Sequence, residues 1–202
     1  MPLHPTIHNT QLRETMKAEG LVQVNWECLA ADENWYYESL APTAGENKTT
    51  TITSFAKAYC PLWPVVPVIV VTDAAADDWS GVSVLIKGVD QFGDNISETA
   101  AGANSGGTWT ATCLNAYCTL TSAAVTVTGT ATSSDRWIIG FAKTYGIGRN
   151  IAATGDVICS WFDNAADAGT VSAAYSTYII AGTPNSAKAM TLLVRPSHYL
   201  GA

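Results

Sequence analysis

The sequence predicts an all-β protein, a β-sandwich or jelly-roll-like barrel with an extended N-terminal arm. Short segments of alternating or continuous apolar residues recur along the chain, and Gly, Asn and Asp separate them. Only 13% of the 202 residues are charged, and small or β-branched residues are abundant, which suits strands and turns better than long helices. A chain of this length can bury one substantial core, so we expect one main domain.

The N-terminal part is predicted to form the arm. Residues 10–20 begin with a Thr cap and end at a Gly, which favours a short helix, and residues 21–26 alternate as a strand does. Residues 41–48 are rich in turn formers and mark the domain boundary. The predicted organisation is therefore an arm over residues 1–48 and a β-sandwich domain over residues 49–202.

Aromatic residues cluster in this arm within a locally acidic segment. Trp26, Trp35, Tyr36 and Tyr37 are the predicted partner-binding residues, because large rings gain most when they are buried against another subunit. On this interpretation, deletion of residues 1–45 leaves a folded β-domain with weakened attachment. The competing expectation is that the rings complete the domain's own core, in which case the deletion unfolds the protein.

The clearest local signal is a hairpin. Val82, Val84 and Ile86 alternate with more polar residues, as in a strand with one apolar face. Asp90 can close an Asx turn with its carboxylate, and Gly93 supplies the positive φ that such a reversal requires. The sequence therefore predicts two antiparallel strands joined at this turn.

Further strands are expected at short intervals. The run at residues 65–71 is continuously apolar, which is typical of a strand covered on both faces, and its prolines should confine its start to an edge or a bend. A glycine-rich surface loop is expected at residues 101–107. The other predicted strands are at residues 49–55, 109–113, 125–130, 137–142, 157–162, 171–180 and 189–195.

The hairpin residues follow the pattern V-x-I-x-G-x-D-x-F-G-x-x-x-x-E-T. This pattern, with residues 124–130 and 137–148 downstream, resembles small all-β virion proteins of tailed bacteriophages, in particular those that decorate or cement the capsid. The likeness covers roughly residues 80–195. It implies a non-enzymatic protein that binds the assembled major capsid protein, commonly as a homotrimer, on the capsid surface of a virion made in the host cytoplasm.

Charge and hydropathy argue against two classes of partner. The formal net charge is −7, and the ten Lys and Arg residues are scattered, so the chain lacks the basic surface that phosphate backbones require. The N-terminus lacks the layout of a secretory signal, and the apolar run at residues 62–71 is too short to span a membrane. We therefore expect neither a nucleic-acid nor a membrane partner.

The five cysteines are odd in number and have no paired C-x-x-C spacing, which favours neither a disulfide framework nor a zinc site. Most are expected to be buried thiols. Cys113 and Cys118 could meet across a short hairpin, but a reducing cytosol disfavours that disulfide.

No catalytic, cofactor-binding or metal-binding residues are predicted. The histidines, His4, His8 and His198, lie near the chain ends without a nucleophile motif. Carboxylates at Asp73, Asp77 and Asp78, and at Asp163 and Asp167, lack EF-hand spacing and are interpreted as turn residues rather than as a calcium site or a glycosidase pair.

Two other features of the sequence fit structural roles better than binding sites. Gly146 and Gly148 form a Gly-x-Gly without a third glycine, which fits a loop between strands better than a dinucleotide site. Seven tryptophans could form a sugar-binding platform, although core packing is the first interpretation. The alternatives to capsid decoration are therefore a neck, tail or fibre component, or a carbohydrate-binding β-sandwich module. A glycoside hydrolase ranks third.

Overall fold

The computed structural model of the protein describes residues 20–40, 44–74, 79–185 and 188–197. The predicted helix at residues 10–20 therefore lies outside the described residues, except for its terminal Gly20. Within the described part the chain forms β-strands, turns and one 3-10 turn at Thr154–Asp156, which confirms the all-β class.

The strands alternate with short connections along the whole described chain. In order they are β1 (Val22–Cys28), β2 (Asp32–Leu40), β3 (Gly45–Glu46), β4 (Thr49–Ile52), β5 (Val65–Thr72), β6 (Gly81–Asp90), β7 (Asn95–Ala101), β8 (Ala103–Ser105), β9 (Thr108–Thr112), β10 (Tyr117–Thr128), β11 (Thr130–Ala131), β12 (Arg136–Gly146), β13 (Val157–Phe162), β14 (Ala165–Ala166), β15 (Thr170–Ser172), β16 (Thr177–Ile179) and β17 (Lys188–Val194).

The larger sheet is antiparallel, and its main path runs β15-β16-β12-β5-β10-β6-β7. It divides where β5 and β10 separate. At one end Tyr117 of β10 pairs with Val65 of β5, but from Val68 onward β5 pairs with β9, while β10 pairs with β4. The sheet therefore curls into two halves, β4-β10-β6-β7 and β2-β12-β5-β9-β8, joined at that end.

One hydrophobic core lies within this curled sheet. Strands of both halves contribute alternate residues to it, as the buried Val84 and Ile86 of β6 and the buried Trp137 and Ile139 of β12 illustrate. The predicted continuous apolar strand at residues 65–71 is confirmed, since β5 is buried along most of its length. All of these residues belong to one connected cluster.

Of the two positions predicted for the prolines, an edge or a bend, Pro67 does not occupy the edge. β5 is an interior strand, and Pro67 pairs with Phe141 next to a register shift in β12 between Phe141 and Tyr145. Such an irregularity accommodates a residue that has no N–H to donate. The alternative that the sequence allowed, a bend, describes this position.

A smaller sheet, β1-β17-β13-β14, packs against the end of β12. Residues of β1 pair with β17 from Val22 opposite Val194 to Cys28 opposite Lys188. Trp26 of β1 stacks on Trp63, with ring centroids 5.5 Å apart, and lies 5.9 Å from the ring of Tyr145. The two sheets therefore share the core cluster.

The segment that the sequence predicted as an N-terminal arm contains strands that pair with the rest of the fold. β1 belongs to the smaller sheet, and β2 pairs with β12 from Leu40 opposite Arg136 to Asp32 opposite Phe141. The turn at the proposed boundary also continues into the body, because β3 pairs with β11. Residues 22–40 are thus integral strands rather than an arm that leaves the domain.

The hairpin prediction is confirmed. β6 and β7 pair from Val89 opposite Asn95 to Ser83 opposite Ala101. The Asp90 carboxylate accepts hydrogen bonds from the N–H groups of Phe92 (2.8 Å) and Asp94 (2.9 Å), and Gly93 has a φ of +93°.

Two predicted segments have a finer structure than the sequence indicated. The glycine-rich loop at residues 101–107 contains β8, which pairs with β9 around the turn at Gly106 and Gly107. The strand predicted at residues 171–180 is two strands, β15 and β16, because the chain reverses between them and Ser176 has a φ of +49°.

Candidate functional site

The four predicted partner-binding residues do not share an outward face. Trp26 and Tyr36 are core residues, with exposed fractions of 5% and 0%. Trp35 and Tyr37 are half-buried on β2. Alternation along β2 separates Tyr36 from its two aromatic neighbours, which the sequence pattern alone presented as one cluster.

Tyr36 occupies an unusual position in the core. Its side chain faces a group of thiols formed by Cys60, Cys113 and Cys118, and its hydroxyl has no hydrogen-bond partner among the described residues. Burial raises the pKa of the Tyr36 phenol well above its usual range. Tyr36 therefore acts as a neutral core residue rather than as a contact for another subunit.

Trp35 packs against a charged side chain and the sheet. The Lys57 Nζ lies 3.6 Å from the Trp35 ring centroid, a cation–π contact, and Phe141 meets the ring edge-on with centroids 5.8 Å apart. The Trp35 Nε1–H donates to the Tyr59 carbonyl at 3.1 Å. Trp35 thus holds the segment that precedes β5, and its role toward a partner stays a prediction.

Tyr37 borders a shallow surface groove whose other wall is formed by residues 49–54. The groove is lined mainly by Thr and Ser side chains together with the Tyr37 ring. Its partner role also stays a prediction.

A different apolar surface, which sequence analysis missed, lies at the joined end of the larger sheet. Val65, Asp90, Tyr117 and Tyr145 form one row across four strands at this end, so the loops next to them are neighbours. These loops carry four exposed apolar side chains, which we call the loop-end patch: Tyr59 (72% exposed), Leu62 (60%), Leu114 (51%) and Phe92 (42%).

Gln91 links the β6–β7 loop, which carries Phe92, to the neighbouring loops. Its backbone N–H donates to the Ala116 carbonyl, and its side-chain amide donates to the carbonyls of Tyr175 (2.9 Å) and Ser176 (3.1 Å). Its Oε1 accepts the N–H of Gly148 at 2.7 Å. One side chain therefore ties three loops together, and the Gly-x-Gly motif is part of this arrangement, as a loop.

Glu98 and Trp63 hold two further loops. The Glu98 carboxylate accepts the N–H groups of Leu114 (2.5 Å) and Asn115 (3.1 Å), and the Asn115 side-chain amide also donates to it. The Trp63 Nε1–H donates to the Gly146 carbonyl at 2.6 Å. Because these bonds fix the loops before binding, a partner would meet a preorganised surface.

The carboxylates that could have suggested a calcium site have structural partners. Asp163 pairs with Lys188 at 3.3 Å, and Asp167 accepts the Tyr178 hydroxyl at 2.8 Å and the N–H groups of Ala181 and Gly182 at 3.2 Å. Asp73 is buried beside β5.

Within the described ranges, no group of three or more His, Cys, Asp or Glu residues could hold a metal ion. Some of the candidates weighed from the sequence lie outside those ranges, namely His4, His8, His198, Asp77 and Asp78.

The tryptophans do not form an exposed platform. All seven lie in the described ranges, and each is buried or half-buried. A sugar-binding face needs aromatic rings that are open to solvent for stacking. This observation favours the core-packing interpretation of the tryptophans.

Comparisons with protein-family models, with curated proteins and with solved structures found no significant match to this chain. Among the described residues, no helix is long and apolar enough to cross a membrane.

Proposed function

We propose that this protein is a structural, non-enzymatic component of a tailed-bacteriophage virion, and specifically a capsid decoration protein that binds the assembled major capsid protein. The observation that carries the proposal is the loop-end patch. Four apolar side chains project from loops that Gln91, Glu98 and Trp63 hold in place. The resemblance of the hairpin and downstream motifs to decoration proteins supports the same conclusion.

The patch has the chemistry of a docking surface for another protein. Burial of a Leu or an aromatic side chain contributes on the order of 1–3 kcal/mol, so a few such residues can dominate the affinity. An ordered shell presents the same site many times, and a protein that binds only the assembled form stabilises it by mass action. No covalent chemistry is required for this role.

We also propose that the protein forms a homo-oligomer, with a trimer as the specific expectation from the resemblance. Trp35 and Tyr37, half-buried on β2, are the predicted contacts between protomers. Sedimentation equilibrium at tens of micromolar, a rough range for detecting weak association, distinguishes a trimer from a monomer. A protein that stays monomeric there contradicts this part of the proposal.

The attachment surface is tested by co-sedimentation with shells of the parent phage from which this protein has been stripped. Leu62→Asp and Leu114→Asp place a charge in the patch, and we expect each to weaken attachment at least about tenfold, the factor that corresponds to 1.4 kcal/mol. The matched control is Ile158→Asp, because Ile158 is a 41% exposed apolar residue on β13 of the smaller sheet.

The outcomes separate the proposal from its alternatives. Full attachment of both patch variants would remove the loop-end patch as the binding surface. Failure of the wild-type protein to bind shells would reject capsid decoration, and electron microscopy of labelled protein on whole particles would then identify a neck, tail or fibre location. Binding on a glycan array would instead favour the carbohydrate-binding module.

A further inference from the structure

Cys60 and Cys118 lie directly opposite each other across a short antiparallel contact. Tyr59 and Thr119 form an isolated antiparallel β-bridge. Cys60, which follows Tyr59, therefore lies opposite Cys118, which precedes Thr119. The Cys60 N–H donates to the Cys118 carbonyl at 2.8 Å, and the Leu120 N–H donates to the Ala58 carbonyl at 2.8 Å. These two bonds fix the register of the cysteine pair.

The geometry suits a disulfide. Directly opposite residues in antiparallel strands have Cα atoms about 4.5–5.5 Å apart, and a disulfide requires roughly 4.4–6.8 Å. The two thiol groups are close enough to influence each other's pKa. A bridge therefore requires only a small approach of the side chains rather than a movement of the backbone.

The local structure of β10 contributes to this arrangement. The register with β6 shifts between Tyr117, opposite Asp90, and Thr119, opposite Val89, so Cys118 is the extra residue of a β-bulge. A bulge leaves one residue without a partner on that side and redirects it. Cys118 is thus unpaired toward β6 and paired toward Cys60.

The other cysteines have different surroundings. Cys28 and Cys113 are buried, with exposed fractions of 0% and 2%, whereas Cys60 and Cys118 are half-buried. The Cys113–Cys118 hairpin considered from the sequence does not form, since β9 pairs with β5 and β8 instead of β10. Cys159 is half-buried on β13 of the smaller sheet.

We propose that Cys60 and Cys118 are an oxidative modification site, at which a small-molecule disulfide closes a cross-strand disulfide that fastens residues 53–64 to β10. This segment carries Tyr59 and Leu62, half of the loop-end patch. Closure therefore adds a covalent link to a segment that hydrogen bonds already hold against β10. The inference concerns the chemistry of this chain and does not depend on the capsid role.

The reaction with oxidised glutathione balances in two exchange steps. One protein thiolate attacks the glutathione disulfide, forms a mixed disulfide and releases one glutathione thiol. The second protein thiolate then attacks the protein sulfur of the mixed disulfide and releases the second glutathione. Two S–H bonds of the protein become one S–S bond, and the two electrons and two protons leave on two molecules of reduced glutathione.

The rate of closure depends on pH because the thiolate is the nucleophile. Burial, followed by the charge of Cys118, raises the pKa of the Cys60 thiol to about 11, and burial also raises the pKa of Cys118. The thiolate fraction is therefore small at pH 7. Between pH 7 and pH 9 the rate should rise steeply with pH, in proportion to that fraction.

The test uses the full chain, fully reduced and then incubated with oxidised glutathione at pH 7, 8 and 9. After free thiols are blocked by alkylation, peptide mapping without reduction should yield a peptide that links Cys60 to Cys118. Oxidation should also raise the melting temperature by about 5–10 °C, because a bridge across a long loop restricts the unfolded chain. Reduction with a phosphine should reverse this shift.

Three variants make the test specific. Cys60→Ser and Cys118→Ser should each abolish the linked peptide and the shift in melting temperature, whereas Cys159→Ser should retain both. The inference is overturned if all thiols of the wild-type protein remain free after oxidation, or if Cys60 links to Cys113 or to another copy of the chain. A stable glutathione adduct without closure would also overturn it.

Discussion

At Gly93 the backbone of the β6–β7 turn has a positive φ, a conformation that residues with a side chain rarely adopt. Its φ is +93°, and a Cβ added there would meet no atom within 4 Å, so the effect of a substitution comes from backbone strain alone. Gly93→Ala should lower the free energy of unfolding by about 1 kcal/mol. Thermal denaturation measures this change.

Gly155 provides the matched control for that prediction. A Cβ at Gly155 would also meet no atom within 4 Å, and the residue has no strained φ. Gly155→Ala should therefore leave stability unchanged or raise it slightly, since it restricts the unfolded chain. Equal effects of the two substitutions would remove the turn conformation as the cause.

Because the Tyr178 phenol is buried, we expect the protein to lose stability at alkaline pH. The side chain is 1% exposed, its hydroxyl donates to Asp167, and burial raises the pKa of its phenol to about 12. The folded pKa exceeds the unfolded value of about 10, so this contribution is complete below pH 10 and is lost as the pH rises toward 12. We expect the melting temperature to fall across that interval.

The Tyr178→Phe variant distinguishes the contribution of this phenol to the pH dependence from the contributions of other buried groups that ionise in the same range. The variant should be about 1 kcal/mol less stable at pH 7, because the hydrogen bond to Asp167 is lost. Its melting temperature should then decline less steeply between pH 10 and 12. A decline as steep as in the wild-type protein would contradict the assignment to Tyr178.

Local chemistry explains which residues the sequence predicted correctly. Asp90 and Gly93 perform their roles through bonds within five residues, so the pattern sufficed. Trp26 and Tyr36 are different, because their burial depends on Trp63, Tyr145 and the cysteines, which lie far away in the chain. A single sequence does not indicate such distant neighbours.

At the level of elements, β2 is held to β12 by a close approach at Gly140. A Cβ at Gly140 would lie 2.0 Å from the Asp32 carbonyl oxygen, which is a backbone atom and cannot rotate away. Gly140→Ala should therefore force the two strands apart and lower the free energy of unfolding by about 2–3 kcal/mol, more than Gly93→Ala. Urea denaturation of both variants compares them, and an equal or smaller loss at Gly140 would contradict the close packing of β2.

Deletion of residues 1–45 tests whether β1 and β2 are integral. The deletion removes both strands, exposes edges of β12 and β17, and takes Trp26 and Tyr36 out of the core. The structure favours the second of the two outcomes considered from the sequence: the truncated chain should be insoluble or should lack a cooperative unfolding transition by circular dichroism.

Deletion of residues 1–19 is the control, because it removes none of the described strands. This shorter truncation should keep the β-rich spectrum and the cooperative transition. If the longer truncation also folds cooperatively, the pairing of β1 and β2 is not required for the fold, and the arm predicted from the sequence would again explain residues 1–48.

The alternation of apolar and polar residues predicted the positions of most strands, but it did not predict which strands pair. The segments at residues 65–71 and 189–195 match β5 and β17 closely, because buried strands carry a continuous or alternating apolar signal. The segment at residues 157–162 coincides with β13, although only Phe162 of that strand is buried. The larger sheet divides because β5 and β10 pair with different strands beyond Val65 and Tyr117. The alternation within each strand does not indicate which neighbour it takes.

For the whole molecule, the surface that supports a binding role is made by loops that the fold gathers at one end. Tyr59, Leu62, Phe92 and Leu114 are separated in the sequence and have no shared motif. They come to the same end of the sheet only because β5, β6, β10 and β12 all reach the same row. The candidate site could therefore not be found before the topology was known.

The pairing of β1 with β17 has a consequence for how the protein is made. Val22 and Val194 lie opposite each other, so the first described strand to leave the ribosome must wait for the last one. At 5–20 residues per second, synthesis of the intervening chain takes roughly 10–35 seconds. During that time β1 has no strand to pair with, and the nascent chain is exposed to aggregation and to chaperones until β17 has been made.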